Sequence, residues 1–375
     1  MVQIINDVQL DFDDVLIVPQ TTSINHREEV DVVRRFKQLE KDLGMGYINE
    51  FKCCPIMNAN MTQTGTFKIA NELIKNNMIG CIHKFYTSEE INRFFKESNC
   101  DGVTFFITIG LRNQAEEIQK LRDCKDYMWS ILIDVPNAYI PDVEELVKFV
   151  RLEFPDRIIA VGNVCTGDAT QRLIRAGANI VKVGIGPSKI CNTRDNVGVG
   201  RPQLSAILDC SNAAHQVGGL IIADGGFKTS GDICKALVAG ADICMSGAMF
   251  VGCDESSGDI IEKCYKTNEY SYYSQPTDES NTPEYFPDKP KYEIKKYKEY
   301  YGMSSFRAQM ENYGQKTTSG TSEGVESKLV EYTGKILDTI KHIKGALRSC
   351  GSYLGAHSIK DFSRQGSFYK VNRLK

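Results

Sequence analysis

The chain has 375 residues, 42% of them hydrophobic, enough for one large core and too apolar for a disordered chain. A formal net charge of −3 gives no basic surplus to recruit nucleic acid or a membrane surface, so neither is an expected partner. No apolar run reaches the length of a transmembrane helix, the start MVQIINDVQLDFDDVLIVPQ is unlike a secretory leader, and 13 scattered cysteines without a CxxC pair argue against a disulfide framework; the chain is expected to be cytoplasmic.

In chain order, residues 1–50 form an extension expected to cap the bottom of the fold or to reach a neighbouring subunit. From about 50 to 266, short apolar runs alternate with helical patterns eight times. The runs are PIMNANM (55–61), MIGCIHKF (78–85), GVTFFITIG (102–110), WSILIDVP (129–136), RIIAVGNV (157–164), NIVKVGIG (179–186), GLIIADGG (219–226) and ICMSGAMF (243–250). They are continuous and rich in Ile and Val, as strands covered on both faces of a parallel sheet are. Between them lie amphipathic stretches such as 143–154, 169–177 and 231–240, several bounded by helix-capping residues. The expected fold is α/β, a (β/α)₈ TIM barrel in a single catalytic domain. The alternative is an open doubly wound sheet, and eight evenly spaced units favour closure. After the eighth run the pattern breaks. Residues 267–292 are polar and rich in Tyr, Pro and Ser, which predicts a surface loop or long hairpin tip. Residues 303–328 read as a mobile flap, and a closing helix is expected at about 332–347.

A barrel places function at the C-terminal ends of its strands. The loop GIGPSKICNTRDNVGVGRPQ (184–203) after the sixth run is too long for a simple turn, and its Cys191 lies in sequence beside Lys189 and Arg194. Nearby cations favour a thiolate, which suits attack on an electrophilic carbon; the alternative is an inert loop cysteine. Cys53, Cys54, Cys210, Cys234 and Cys244 fall in strand or helix patterns and are expected to be buried and unreactive. The turns Asp224-Gly225-Gly226 and Ser246-Gly247-Ala248 occupy the barrel's usual phosphate position, where bare backbone N–H groups can hold an anion. Asp224 would then grip ribose hydroxyls. Glu323, in the flap, could carry protons. Lys84 and Asp134, at strand ends, are expected to face a ligand, whereas His83 reads as a packed, hydrogen-bonded residue. No zinc spacing, Walker loop or GxGxxG dinucleotide motif is present.

The segments GIGPSKICNTR, GVGRPQLSAI, PIMNANM, GNVCTGD, IIADGGFKTSGDICKALVAGAD and YYGMSS together resemble the IMP dehydrogenase/GMP reductase family over nearly the whole chain except 267–292. Within it, LDFDDVLIVP, IHKFY, DVPNAY and VGVGRPQLSAI are similar to the reductase branch. The regulatory domains and the flap Arg-Tyr pair usual in dehydrogenases are missing.

The resemblance implies reductive deamination of GMP to IMP and ammonia with NADPH, in purine salvage. It implies Cys191 as nucleophile, with Thr193 and Glu323 moving protons. It also implies nucleotide contacts from Asp224, Gly225, Gly226, Gly247, Ala248, Gly302, Met303, Ser304, Ser322 and Gly324, with Lys189 in place of a phosphate-binding serine. Cofactor contacts would come from Lys84, Asp134, Val135, Pro136, Ile185, Gly186 and the Ser349–Ser352 turn. A homotetramer is implied, with His26 and Arg27 reaching a neighbour's cofactor, and a potassium ion on carbonyls of Gly186, Ser188 and Cys191. The chain departs from the family at Ser188-Lys189 (Gly-Ser), Gly320 (a flap arginine), Ala248 and Ala138 (both glycines). Two other outcomes remain open: an IMP dehydrogenase lacking its regulatory domains, converting IMP to XMP with NAD, or a catalytically weak purine-nucleotide-binding protein.

Overall fold

The structure, a computed structural model, describes residues 4–42, 50–98, 100, 102–275, 284–314 and 320–371. Parts of the expected insertion (276–283) and flap (315–319) lie outside the described residues.

Eight parallel strands form one sheet: β1 (Ile56–Asn58), β2 (Gly80–Cys81), β3 (Phe105–Ile109), β4 (Ser130–Asp134), β5 (Ile158–Val164), β6 (Ile180–Val183), β7 (Leu220–Asp224) and β8 (Ile243–Ser246). Neighbours in sequence are neighbours in the sheet from β2 to β8. β8 pairs with β1, and a parallel bridge from Met57 to Ile79 joins β1 to the residue just before β2, so the sheet closes. This is the expected (β/α)₈ barrel, and each of the eight apolar runs contains one strand. The strands are shorter than the runs because the polar strand ends turn into loops.

Helices α1 (Phe67–Lys75), α2 (Ser88–Ser98), α3 (Gln114–Asp123), α4 (Pro141–Glu153), α5 (Gly167–Arg175), α6 (Gln203–Gln216) and α7 (Ser230–Val238) follow successive strands. In α1, Thr66 caps the first turn by accepting the Ile69 N–H at 3.2 Å, and Ile69, Ala70 and Leu73 turn inward at helical spacing.

Period-2 alternation divides each strand between two cores. Ile221 and Ala223 of β7 face the helices, while Leu220 and Ile222 fill the barrel interior with Met57, Phe106, Leu132, Ile180 and Met245. Phe36, Leu39 and Phe51 join that interior cluster, so the N-terminal extension plugs the bottom, as expected. A short strand, Val15–Ile17, pairs antiparallel with Phe368–Lys370 and ties the two ends of the chain together.

Beyond β8 the chain takes the hairpin form, one of the two expected there. Strand β9 (Ile261–Gln275) pairs antiparallel with β10 (Glu284–Tyr300) as a long hairpin, with β11 (Lys328–Glu331) added at its base. Within the flap, α8 (Phe306–Tyr313) is capped by Ser305, whose hydroxyl accepts the Ala308 N–H at 3.1 Å. The closing helix α9 runs Ile336–Leu354, later than expected. Ser349–Ser352 is therefore its last turns and not a separate turn. Among the described residues no helix is long and apolar enough to cross a membrane.

Candidate active site

The loop after β6 carries Cys191, and the flap is stitched to it through the backbone. The Asn192 N–H donates to the Glu323 carbonyl at 2.7 Å, Val325 N–H to Ile190 carbonyl at 2.9 Å, and Gly302 N–H to Val325 carbonyl at 2.9 Å. Close backbone approach requires glycine here: a Cβ on Gly302 would lie 2.6 Å from the Gly324 Cα, and one on Gly324 would lie 2.6 Å from the Ser305 nitrogen. Asn196 reinforces the seam, its amide donating to the Ser322 carbonyl at 2.6 Å.

This docking brings together three residues, one of them far from the others in sequence. The Cys191 Sγ lies 3.1 Å from the Thr193 Oγ1, and the Thr193 hydroxyl donates to the Glu323 Oε2 at 2.8 Å. With that hydroxyl proton directed at Glu323, the thiol is the donor to Thr193. A thiol, a hydroxyl and a carboxylate thus form one continuous proton path.

Of the two expected cationic neighbours, Arg194 is engaged elsewhere and Lys189 is exposed, without a bond to the thiol among the described contacts. Arg194 pairs with Asp11 at 3.4 Å and donates to the Arg201 carbonyl. The bonded partner of Cys191 is Thr193 instead. The other cysteines singled out by sequence are buried, and burial pushes the thiols of Cys54 and Cys210 up to about 12. They are small core residues.

Next to the cysteine loop stand the two turns expected to hold phosphate. Gly225 and Gly226 have φ of +81° and +85°, a region that only glycine enters without strain. The Gly225 N–H already donates to the Met245 carbonyl at 3.1 Å, so it is committed to the barrel. The N–H groups of Gly226, Gly247 and Ala248 remain the candidates for an anion. Gly247 is pressed against the Tyr300 hydroxyl, 2.3 Å from where its Cβ would stand. Met303 follows the hairpin base and accepts a contact from Thr62 (3.7 Å), and Ser304 lies beside it, half-buried. Ser188 hydrogen-bonds within the loop, its carbonyl accepting the Cys191 N–H at 3.0 Å.

Inside the mouth, Asp134 and Asp224 are bridged by Lys182, which no sequence motif singles out. Lys182 donates to Asp134 Oδ1 and to Asp224 Oδ2, each at 2.8 Å. Asn163 donates to the same Asp224 oxygen at 2.9 Å. Burial opposes the charge on Lys182, but the two carboxylates outweigh it and raise its pKa. Burial alone would push Asp134 up; Lys182 and then Lys84 overcome it and hold the carboxyl below its ordinary value. The available signal was a lysine inside an apolar run, in phase with the inward residue Ile180. Asn163 and Tyr300 carried no comparable signal.

The residues expected to serve a cofactor fall into two groups. Lys84 lies along Gly110 near Asp134, with buried Val135 and exposed Pro136 following β4. Ile185 and Gly186, half-buried, begin the cysteine loop. His26 and Arg27 open an exposed 3₁₀ turn, Arg27–Glu29, that packs on α9, the helix bearing Ser349 and Ser352. The imidazole of His83 stacks on Tyr86 with ring centroids 4.0 Å apart, and its Nδ1 accepts the Phe85 N–H at 3.3 Å. Burial pushes its pKa down to about 4, so it is a packed neutral residue, as expected.

Fold and site define a (β/α)₈-barrel protein with a thiol, hydroxyl and carboxylate aligned at the strand C-terminal ends. The sequence pattern described as the IMP dehydrogenase / GMP reductase domain matches residues 9–275 and 275–374, breaking within the long hairpin. Proteins named GMP reductase are similar over nearly the full chain. One from Photobacterium profundum is 36% identical over 369 residues, 97% of this chain and 95% of its own. One from Phytophthora infestans is 36% identical over 377 residues, covering 100% and 93%. GMP reductase 2 of Mus musculus is 36% identical over 378 residues, covering 100% and 97%. The chain belongs to the IMP dehydrogenase / GMP reductase family, nucleotide-binding oxidoreductases that use a nicotinamide cofactor.

Proposed function

We propose that this protein converts GMP to IMP and ammonia with NADPH, as one catalytic domain acting in the cytoplasm in purine salvage. The observation that carries this reading is the continuous Cys191–Thr193–Glu323 path beside the glycine turns of the barrel mouth.

Gly226, Gly247 and Ala248, with Gly302, Met303 and Ser304, hold the phosphate end, and Asp224 takes the ribose. Ser322, Glu323 and Gly324 close over the base. The Cys191 thiol gives its proton toward Thr193 and Glu323, and the sulfur attacks C2 of guanine. The C2–N bond breaks as the amine takes up a proton and leaves as ammonia; an amide-like amine needs that proton to depart. The purine remains on Cys191 as a thioimidate, which keeps C2 electrophilic. NADPH, held by Lys84, Asp134, Val135 and Pro136, would supply one hydride to C2. The C–S bond then breaks, the sulfur leaves as a thiolate that takes up a proton from solvent to restore the thiol, and IMP departs. The flap packed on the cysteine loop excludes water that would otherwise hydrolyse the intermediate.

Lys84, Asp134, Val135 and Pro136 fit a nicotinamide nucleoside: an ammonium and a carboxylate for its polar groups beside an exposed proline for its apolar edge. Ile185 and Gly186 lie at the ring. In a homotetramer, His26 and Arg27 reach the cofactor of a neighbour near Ser349 and Ser352. Potassium on the carbonyls of Gly186, Ser188 and Cys191 suits neutral oxygen ligands. The Ser188 carbonyl already accepts a turn hydrogen bond.

The test is to mix the protein with GMP and NADPH in potassium buffer, follow the reduced cofactor and identify products. Cofactor loss matched by IMP and ammonia, absent in Cys191→Ala, is expected. XMP and NADH from a parallel mixture of IMP and NAD would overturn the reading, as would no turnover in either mixture.

A further inference from the structure

Strand register explains how one lysine reaches two carboxylates. Ile180 and Lys182 both point into the barrel, as do Leu132 and Asp134 on β4 and Ile222 and Asp224 on β7. Across the sheet Asp134 is level with Gly162, Gly162 with Lys182, and Lys182 with Ile222. Lys182 must therefore reach across β5 to meet Asp134. Gly162 leaves that path open: a Cβ there would sit 2.5 Å from the Lys182 Cβ. The lysine side chain is 4% exposed, whereas Asp134 and Asp224 keep 25% and 20% exposure at the mouth. Lys182 and Asn163 both use Oδ2 of Asp224, which leaves Oδ1 for a ligand.

We propose that Lys182 is a shared positioning residue: a single ammonium sets both the carboxylate that grips the nucleotide ribose and the carboxylate that serves the cofactor. The two halves of the site are thereby held in register by one side chain that need touch neither ligand. This rests on the functional reading above, which assigns Asp224 and Asp134 to different ligands. A lysine that merely stabilised the fold would lower the melting temperature and leave ligand affinities alone. A lysine serving one carboxylate would affect one ligand.

The experiment measures Kd by calorimetry for GMP alone and NADPH alone, on the wild-type protein, Lys182→Met and Asp134→Asn, with melting temperatures alongside. Lys182→Met is expected to weaken both ligands by about tenfold or more. Asp134→Asn, on the cofactor side, is expected to weaken GMP as well, through the loosened lysine. It keeps the lysine and tests the proposal even if Lys182→Met does not fold. A loss confined to one ligand in Lys182→Met, or GMP affinity unchanged in Asp134→Asn, would overturn the proposal. Failure of the wild-type protein to bind GMP would instead overturn the functional reading itself.

Discussion

Two charged clusters sit at opposite ends of the barrel, and they differ in what they leave open. At the bottom, Asp242 is 1% exposed and fully used: Oδ1 accepts from Arg34 at 2.8 Å, and Oδ2 from the His215 Nε2 at 2.8 Å and the Ile221 N–H at 2.9 Å. At the mouth, Lys182 is as deeply buried, but its two carboxylates remain partly open to solvent. Buried charges must be paired in either place. Engaging both carboxylate oxygens makes a pin; leaving one edge free makes a binding surface. Arg34 belongs to the N-terminal extension, so the lower cluster fastens the plug of Phe36, Leu39 and Phe51 to the barrel.

That contrast predicts effects that separate cleanly. The largest is at the mouth. Glu323→Gln keeps the shape of the flap but removes the carboxylate at the end of the proton path, so kcat should fall about 10²–10⁴-fold with the melting temperature unchanged. A fall in stability without a fall in kcat would reverse the roles of the two ends. Next, Asp242→Ala strands the Arg34 charge and should destabilise the fold by about 3–5 kcal/mol, read from denaturant unfolding, while the Kd for GMP in the remaining folded protein stays the same.

The smallest effect is a dependence of stability on pH at the lower cluster. The hydrogen bond to Asp242 raises the pKa of His215, against the opposing effect of burial. Its contribution is therefore fully present below the unfolded value of about 6.5 and is lost as pH rises through the raised folded value. The imidazole is 43% exposed, so the contribution is under about 1 kcal/mol. Melting curves of wild type and His215→Gln should differ most near about pH 5.5 and converge above about pH 9, on either side of that window. A gap that widens in alkali would contradict the assignment.

The same contrast bears on what could be read from the residues. The eight strands were legible because each is covered on both faces and so reads as a continuous apolar run. Lys182 broke one of those runs, yet a charge in a strand shows its partners only after closure sets Asp134 and Asp224 on either side. The hairpin was partly hidden because its strands pair mainly with each other and need no apolar face; Tyr292 and Ile294 are 62% and 61% exposed. Family resemblance, more than local pattern, pointed to Glu323. It lies 130 residues from Thr193, and the backbone seam that joins them gives no periodic signal.

Covalent catalysis by Cys191 is tested by peptide mass spectrometry of protein quenched in acid during turnover of GMP with NADPH. An adduct of GMP less ammonia is expected on the Cys191 peptide, with half-buried Cys165 and Cys350 unmodified. IMP formation with no adduct at Cys191, or turnover persisting in Cys191→Ala, would contradict it.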